Sequence, residues 1–580
     1  MCGIIAYAGK NDAFERIING LNKLEYRGYD SAGYCIIDLT GNLLQNKASS
    51  INDLIQINFP TYIGIGHTRW ATHGDSKLEN AHPFLDCKRE IAIAHNGIIS
   101  NYNQLRKRLA SHKFESDTDS EVIVHLLEDY IAECPNEEEA FIRTCKDLQG
   151  TFAIVALFKD KIMGVRHFSP LVAGIDEDGI FIASDVPSFL DYTKNVIYLE
   201  DKEIFIGLKN GSWRVLDFSG NYLIKQTESI SYESNSISKN NFDYFLLKEI
   251  YDQSNLIKLY NKSTTADFKM AGEIIKNSCD IFLIGCGSSY NAALAGKYLL
   301  GEISNIYSHI NIASEFNNNL KFLTDCSLII ALSQSGETAD ILEAINNGKL
   351  HNSKILGITN IEGSTLSRLS DYILKLNAGL ELSVLATKTY TSEIIQLYLL
   401  SCYLGRDFTR GIKAVKELYL DVYNLTSHNT RLKMQELSRL LENCTDIYLI
   451  GRGLEYTTAL EGALKIKEVS YIHAEAFAGG ELKHGSLALI EKNTPCIALI
   501  GKDDRIFNNI AEIKTRGGFI IGIGEQYSKL FDIWIKVKDA GYLNPVLQII
   551  PLQILAYELA ILKNLNPDKP RNLAKCVTVT

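Results

Sequence analysis

An internal repeat in the C-terminal half most constrains how this chain folds. Four apolar runs recur in the same order and at nearly the same spacing, at 280–287 and 446–453, 327–332 and 495–500, 354–358 and 518–523, and 372–374 and 533–535. Short uninterrupted apolar runs are typical of strands buried on both faces. Segments of helical length separate them, for example 290–302 and 338–350. The pattern predicts two copies of one α/β domain with a parallel sheet, which binds ligands beyond the carboxyl ends of its strands.

The N-terminal portion has a different pattern. It predicts strands at 4–7, 32–37, 63–65, 91–94, 151–158 and 179–184, and helices at 14–24, 103–110 and 119–133. We expect an α+β domain with mostly antiparallel sheets covered by helices. Residues 210–242 include a stretch rich in Ser, Asn and Glu, which predicts a connector between the two portions.

Composition excludes several classes of protein. The 580 residues carry a net charge of -10, which argues against a general nucleic-acid or membrane-surface binder. The start of the chain lacks the features of a signal peptide. The apolar stretch 547–565 is interrupted by Gln548, Pro551, Gln553 and Glu558, so we expect an amphipathic helix rather than a membrane span. Twelve scattered cysteines without a C-x-x-C pair predict reduced thiols in a cytoplasmic protein.

Cysteine at position 2 has unusual chemistry. Removal of Met1 would leave a thiol and a free α-amino group on one residue, with pKa values of about 8.5 and about 8. The amine can then act as the base for its own nucleophile. By itself, a cysteine at this position is weak evidence.

Several polar clusters accompany Cys2, at 27–33, 66–74, 94–99 and 115–121. Together they resemble the class II glutamine amidotransferase domain, an N-terminal-nucleophile (Ntn) fold, over residues 2–211. The resemblance implies that Cys2 attacks the glutamine carboxamide, that Asn96 and the backbone N–H of Gly97 form the oxyanion hole, and that the glutamine is bound by Arg69, Trp70, Thr72, His73 and Asp119. Arg27 and Asp30 are left as a candidate structural ion pair.

Four histidines, His67, His73, His82 and His95, could suggest a metal site. They lack the ligand spacing of a helical zinc motif. We therefore predict no metal, and the amidotransferase resemblance accounts for their surroundings.

Two polar loops follow the first and second strands of the first repeat. They are 285–289, Gly-Cys-Gly-Ser-Ser, and 333–338, Ser-Gln-Ser-Gly-Glu-Thr. Each precedes a helix N-terminus, which favours anions. Hydroxyls of Ser289, Ser333, Ser335 and Thr338 could complete a cradle for a phosphate monoester. The second repeat lacks these serines, so we predict one sugar-phosphate site per chain.

These loops resemble the sugar isomerase (SIS) domain, twice. The predicted boundaries are a linker at 212–245, SIS domains at 265–405 and 437–570, and a catalytic tail at 571–580. The resemblance implies that Lys575 forms a Schiff base, that Glu468 moves a proton between two sugar carbons, that His484 opens the sugar ring and that Lys465 assists. It implies sugar contacts from Gln334, Val384 and Ala574, besides the four hydroxyls above. Spacing alone also allows a plain surface ion pair of Lys465 with Glu468. Ala386 and Ser486 depart from the usual family residues, serine and proline.

An amidotransferase domain joined to two SIS domains resembles the isomerising sugar-phosphate aminotransferases. That resemblance implies conversion of L-glutamine and fructose 6-phosphate to glutamate and glucosamine 6-phosphate, the first step of hexosamine synthesis, with ammonia passed internally. It implies no cofactor and a homodimer, and no nucleic-acid or membrane partner. Two alternatives stay open: a relative that aminates another ketose phosphate for surface glycans, and a non-enzymatic sugar-phosphate-sensing SIS protein.

Overall fold

A computed structural model describes residues 2–70, 75, 77–230, 239–260 and 262–578. The chain forms two compact units. Unit 1 comprises Met1–Ser236 and Ala574–Thr580, and unit 2 comprises Ile237–Leu573.

Unit 1 contains two antiparallel sheets. Its strands are β1 (Gly3–Gly9), β2 (Ser31–Ile37), β3 (Leu43–Ala48), β4 (Ile63–Arg69), β5 (Phe84–Leu85), β6 (Ala92–Ile99), β7 (Gly150–Leu157), β8 (Lys161–His167), β9 (Val172–Ile175), β10 (Gly179–Ala183), β11 (Asn195–Tyr198), β12 (Glu203–Leu208), β13 (Trp213–Asp217), β14 (Tyr222–Leu223) and β15 (Glu228–Ser229). Its helices are α1 (Ala13–Leu24), α2 (Tyr102–Arg108), α3 (Glu121–Glu133) and α4 (Glu137–Asp147). One sheet has the order β15-β11-β9-β10-β1-β4-β2-β3, and the other β14-β13-β12-β8-β7-β6-β5.

Alternation along β1 explains how the layers pack. Ile4 and Ala6 lie in the core between the two sheets, whereas Ile5 and Tyr7 face α1 on the outer side. Successive strand side chains point to opposite faces, so a strand buried on both sides is apolar throughout. The predicted antiparallel sheets covered by helices are confirmed.

Unit 2 contains two parallel sheets surrounded by helices. Its strands are β16 (Asp280–Gly285), β17 (His309–Ile312), β18 (Ser327–Ser333), β19 (Lys354–Thr359), β20 (Tyr372–Lys375), β21 (Asp446–Gly451), β22 (His473–Ala478), β23 (Pro495–Leu499), β24 (Phe519–Gly524) and β25 (Ile533–Lys536). Its helices are α5 (Phe245–Tyr260), α6 (Thr265–Lys276), α7 (Gly287–Ser304), α8 (Ala339–Leu350), α9 (Thr365–Leu369), α10 (Lys388–Leu404), α11 (Phe408–Leu425), α12 (His428–Leu441), α13 (Leu454–Ser470), α14 (Ile506–Lys514) and α15 (Asn544–Leu562).

The two sheets of unit 2 have equivalent topologies. Their orders are β17-β16-β18-β19-β20 and β22-β21-β23-β24-β25, and neighbouring strands are parallel. The predicted duplication of one α/β domain is therefore confirmed. Gly285 and Gly451 occupy matching places, where a Cβ would lie 2.6 Å and 2.3 Å from backbone atoms of the following helix. The missing side chain lets each helix begin directly at the carboxyl end of the first strand.

Helix α15 differs from the prediction. We expected an amphipathic helix, but its residues from Asn544 to Ala560 are all buried. The segment Gly541–Leu562 is long and apolar enough to cross a membrane, yet 89% of the most apolar window is buried inside the protein, as in a core helix. The polar side chains are tolerated because they have partners: Gln548 donates to Ile500 O (2.7 Å), Gln553 accepts from Gln253 (2.7 Å) and Glu558 accepts from Arg431 (2.6 Å).

Two further observations bear on the predictions. Cys279 and Cys326 form a disulfide, with Cα atoms 5.6 Å apart, so the prediction of reduced thiols is wrong for this pair. They precede the adjacent parallel strands β16 and β18, which brings their backbones into disulfide range.

Strands β13, β14 and β15 lie within the predicted linker 212–245. The exact domain boundaries stay predictions.

Candidate active sites

Cys2 lies directly before β1 and beside the end of β4. The pairing of Gly3 with Thr68 brings Trp70 next to Cys2, and the Trp70 N–H donates to Cys2 Sγ at 3.3 Å. Burial raises the pKa of the Cys2 thiol, although the Trp70 N–H and the charge of Arg69 act in the opposite direction. The neutral thiol is therefore favoured, and nucleophilic attack requires a base.

The side chain of Asn96, on β6, is fixed by three hydrogen bonds. Its Nδ2 donates to Cys2 O and to Ser184 Oγ, both at 2.9 Å, and its Oδ1 accepts from His67 Nε2 at 3.0 Å. Burial lowers the pKa of His67 to about 3, so its ring is neutral. Because His67 Nε2 also faces His95 O at 3.2 Å, this nitrogen carries the proton. The donor end of the Asn96 amide is thereby directed toward Cys2.

Gly97 is required by the backbone. Its φ is +133°, and a Cβ would lie 1.9 Å from Thr151 O on the neighbouring strand β7. A larger residue would separate β6 from β7 at this point and displace Asn96. Backbone conformation and packing therefore require glycine at this position, independently of any role of its N–H in an oxyanion hole.

Arg69 and Asp119 are buried near Cys2. Arg69 is 3% exposed, and its guanidinium donates to Asp75 O at 3.0 Å. Burial lowers the pKa of Arg69, while the charges of Cys2, Asp30 and Asp119 oppose that shift, so these groups lie within electrostatic range of one another. Asp119 Oδ2 accepts from the Ile99 N–H at 2.7 Å. Arg69 and Asp119 thus provide a buried cation and a buried anion within electrostatic range of each other, a pair of charges suited to a zwitterionic amino acid.

In unit 2, three of the predicted hydroxyls lie on the loop between β18 and α8. Ser333 Oγ accepts from the Gly336 N–H and bonds Thr338 Oγ1, both at 3.1 Å, and Ser335 Oγ accepts from the Glu337 N–H at 3.1 Å. Thr338 is the residue directly before α8, at the N-terminus of the helix. The loop therefore combines hydroxyl groups with the positive end of a helix, which suits a phosphate. The hydroxyl of Ser289, on α7, donates to the buried carboxylate of Glu393 at 2.7 Å.

A buried charged cluster joins α7 to α13. Lys465 is fully buried, and its Nζ lies 3.3 Å from Glu461 Oε1 and 2.8 Å from Glu468 Oε2. It also donates to Ser288 Oγ at 3.0 Å, and Asn291 donates to Glu461 at 2.8 Å. Burial alone would lower the pKa of Lys465, but the two carboxylates raise it above its ordinary value. The two carboxylates thus favour the charged form of Lys465, which pairs directly with Glu468.

Comparisons with known proteins identify the domains that carry these residues. The family model of the glutamine amidotransferase domain matches residues 67–191, and that of the SIS domain matches 273–401 and 440–563. The chain is 40% identical over 599 residues to the isomerising glutamine–fructose-6-phosphate aminotransferase of Pyrococcus horikoshii and 39% identical over 610 residues to that of Clostridium acetobutylicum, covering 100% of each protein. The chain belongs to this family of aminotransferases. The solved C-terminal domain of glucosamine-fructose-6-phosphate aminotransferase from Francisella tularensis is 32% identical, with a TM-score of 0.52, and covers 57% of this chain and 99% of that one.

Several residues predicted for a glutamine–fructose-6-phosphate aminotransferase lie outside these clusters. Val384 is buried, and its N–H donates to Asp568 O at 3.4 Å. The carbonyl of Gln334 accepts from the Asn360 N–H at 3.2 Å. His484 is exposed and ends a single turn, Leu482–His484. Ala574 and Lys575 are half-buried and belong to unit 1. Thr72 and His73 lie outside the described residues, and the functional roles of all these residues stay predictions.

Sequence reasoning missed the residues that orient the predicted ones. In unit 1 these residues are His67 and Ser184, which both bond the Asn96 amide. From the sequence alone, His67 was considered only as a metal ligand. Ser184 Oγ also accepts from the Ile4 N–H. In unit 2 they are Ser288, Asn291 and Glu461, which surround Lys465. The spacing of Glu461 and Lys465, one helical turn apart on α13, was the available signal. Arg27 forms an ion pair with Asp185 at 2.7 Å, in keeping with a structural role.

Proposed function

We propose that this enzyme transfers the amide nitrogen of L-glutamine to fructose 6-phosphate and forms glucosamine 6-phosphate and L-glutamate. The observation that carries the proposal is the Asn96 amide held against Cys2 at the start of the chain. The full-length identity to named glutamine–fructose-6-phosphate aminotransferases supports the choice of substrates.

The glutaminase step begins with Cys2 after removal of Met1. Its α-amine takes the thiol proton, and the sulfur attacks the carboxamide carbon of glutamine. The oxyanion that forms takes over a hydrogen bond of Asn96 Nδ2, with a second donor from the Gly97 N–H. As this intermediate collapses, the α-ammonium of Cys2 returns the proton to the leaving nitrogen, so that ammonia departs and a γ-glutamyl thioester remains. Water hydrolyses the thioester to glutamate and regenerates the Cys2 thiol. Arg69 binds the α-carboxylate and Asp119 the α-ammonium, with Trp70, Thr72 and His73 around them.

The sugar step uses a different set of residues. His484 opens the ring, and Lys575 forms a Schiff base at C2 of the open ketose, which ammonia converts to the C2 imine. Glu468 then removes a proton from C1 and returns one to C2, giving the 2-amino aldose. Because its pKa is raised by two carboxylates, Lys465 is suited to positioning Glu468 rather than to nucleophilic attack. The phosphate is bound by Ser289, Ser333, Gln334, Ser335 and Thr338. Backbone groups of Val384 and Ala574 contact the sugar.

Internal passage of ammonia, a homodimer and a cytoplasmic location complete the proposal. None of the steps above uses an organic cofactor or a metal. The substitutions at Ala386 and Ser486 bear on the choice of sugar, because they fall near the predicted sugar contacts in sequence.

The nucleophile is tested with Cys2→Ala. This variant should lose glutamine-dependent synthesis, since no other group is proposed to attack the carboxamide, and should retain synthesis from ammonium salts. Cys134→Ala, a half-buried thiol in the same unit, is the matched control. Glutamine-dependent product formation by Cys2→Ala would refute the proposed nucleophile.

The sugar site is tested with Lys575→Ala, compared with Lys563→Ala on the C-terminal side of α15. We expect Lys575→Ala to abolish synthesis with glutamine and with ammonia while sparing glutaminase activity. Unchanged synthesis would exclude the Schiff base at this residue.

A comparison of substrates distinguishes fructose 6-phosphate from the alternative, another ketose phosphate. The unmodified enzyme is incubated with each sugar phosphate in turn, and the amino sugar formed is identified by its mass.

A further inference from the structure

Four side chains able to bind a metal converge in unit 1, and none belongs to the site proposed above. They are Cys87, His112, His125 and Glu128, and one ligand atom from each lies within 4.8 Å of the others. Cys87 follows β5, His112 follows α2, and His125 and Glu128 lie one turn apart on α3. The side chain of His125 is 1% exposed, and those of His112 and Glu128 are 10% and 11% exposed.

The distances within this cluster match those around a tetrahedral zinc ion. With Zn–S of about 2.3 Å and Zn–N or Zn–O of about 2.0–2.1 Å, neighbouring ligands lie about 3.6 Å apart for S···N and about 3.3 Å for N···O. Cys87 Sγ lies 3.5 Å from His112 Nδ1 and 3.7 Å from His125 Nδ1. Glu128 Oε2 lies 3.2 Å and 3.6 Å from the same two nitrogens.

His112 has the carboxylate partner that metal-ligating histidines usually have, and His125 has a carboxylate nearby at a longer distance. Nδ1 of each ring faces the cluster, while Nε2 faces a carboxylate: Asp129 Oδ1 at 2.9 Å for His112 and Glu121 Oε1 at 3.6 Å for His125. A carboxylate at Nε2 favours the tautomer with the proton on that nitrogen. The lone pair of Nδ1 then points at the thiol and at Glu128, where a cation would bind both rings.

We propose that Cys87, His112, His125 and Glu128 bind one Zn²⁺ ion, a site that the sequence analysis did not predict. One thiolate, two imidazoles and one carboxylate are ligands that zinc accepts, and four protein ligands fill a tetrahedral shell, which is typical of a structural site. Binding releases the proton of the Cys87 thiol to solvent. The exposed position of Cys87 gives the ion a route from solvent.

The ion would connect three segments of unit 1. It would tie the segment that follows β5 and the segment that follows α2 to the middle of α3. The connection between α2 and α3 contains Asp119, so the zinc would restrain the segment that carries this predicted glutamine ligand. The ligands are far apart along the chain, which explains why no spacing motif revealed them.

The experiment measures metal content and does not depend on activity. Full-length protein without an affinity tag is loaded with zinc, dialysed against metal-free buffer and analysed by inductively coupled plasma mass spectrometry. We expect about one zinc per chain. Substitution by Co²⁺ should give the intense visible absorption of a tetrahedral thiolate complex. Zinc loading should also raise the midpoint of thermal unfolding.

Variants assign the site to these residues. Cys87→Ser and His125→Ala should lose the cobalt spectrum and bind zinc at least tenfold more weakly. Removing even a hydrogen-bond partner of a metal ligand lowers metal affinity about 10–100-fold. Cys134→Ser, just after α3, is the matched control and should bind as the unmodified protein does. Unmodified protein that retains less than about a tenth of an equivalent of zinc under these conditions would overturn the proposal. So would full zinc retention by folded Cys87→Ser and His125→Ala. These outcomes are independent of whether the enzyme forms glucosamine 6-phosphate.

Discussion

Substitution of Asn96 by alanine should separate its part in catalysis from its part in folding. Loss of one oxyanion donor costs about 3–4 kcal/mol in the transition state, or a factor of about 10²–10³ in kcat. The folding cost should be only about 1–2 kcal/mol, because the groups around Asn96 retain other partners. His67 Nε2 keeps His95 O at 3.2 Å, and Ser184 Oγ keeps the Ile4 N–H at 2.9 Å. We therefore expect a folded enzyme with a slow glutaminase.

The assay is glutamate release at saturating glutamine, alongside ammonia-dependent synthesis of glucosamine 6-phosphate. The KM for glutamine should change little, since the oxyanion exists only after attack, and ammonia-dependent synthesis should be unaffected. Ser184→Ala is the control, because it removes an acceptor of Asn96 Nδ2 at 2.9 Å but leaves the donor in place. Its kcat should fall by less than about tenfold. A kcat within about threefold of the unmodified enzyme for Asn96→Ala would refute the oxyanion role.

Three further predictions concern buried charges. Lys465→Met leaves the fully buried Glu461 without its cation and should lower the free energy of unfolding by about 3–5 kcal/mol. Calorimetry should show a lower Tm, which the double variant Lys465→Met/Glu461→Gln should partly restore. An unchanged Tm for Lys465→Met would contradict the buried ion pair. Burial lowers the pKa of His67 to about 3, so the stability it confers is present above pH 6.5, its ordinary pKa, and is lost as the pH falls toward 3. The Tm of His67→Gln should therefore fall less steeply between pH 6.5 and 4, and an equal slope would contradict a neutral buried ring. Arg69→Lys should raise the KM for glutamine about tenfold without slowing ammonia-dependent synthesis, because one charge-assisted hydrogen bond is lost. An unchanged KM would exclude carboxylate binding by Arg69.

Much of the fold could be predicted from the sequence, because buried parallel strands appear as uninterrupted apolar runs. Such runs predicted β16, β18, β19 and their equivalents in the second copy. Strands β17 and β22, at one edge of each sheet, were missed because they contain exposed polar residues, such as His309 and His473, and form no uninterrupted apolar run. Helix α15 was judged amphipathic because the partners of its polar residues, such as Arg431 for Glu558, come from distant parts of the chain.

The residues of the candidate sites also fall into those that the sequence predicted and those that only the structure revealed. Cys2, Asn96 and the loop from Ser333 to Thr338 belong to local motifs and could be recognised. His67, Ser184 and Glu461 act through contacts that only the folded chain creates, so spacing gave little sign of them. The cluster around Cys87 is the extreme case, since three segments contribute its ligands. Local motifs indicate the reacting groups, whereas the groups that orient them depend on tertiary structure.

Transfer of nitrogen from glutamine to the sugar is tested most directly by isotope labelling. The full-length enzyme is incubated with fructose 6-phosphate and glutamine that carries 15N in its amide, in buffer containing unlabelled ammonium. Mass spectrometry should detect glucosamine 6-phosphate one mass unit heavier than the unlabelled compound. Glutamate release with no labelled amino sugar, or with only unlabelled product, would contradict the proposed coupling of the two reactions.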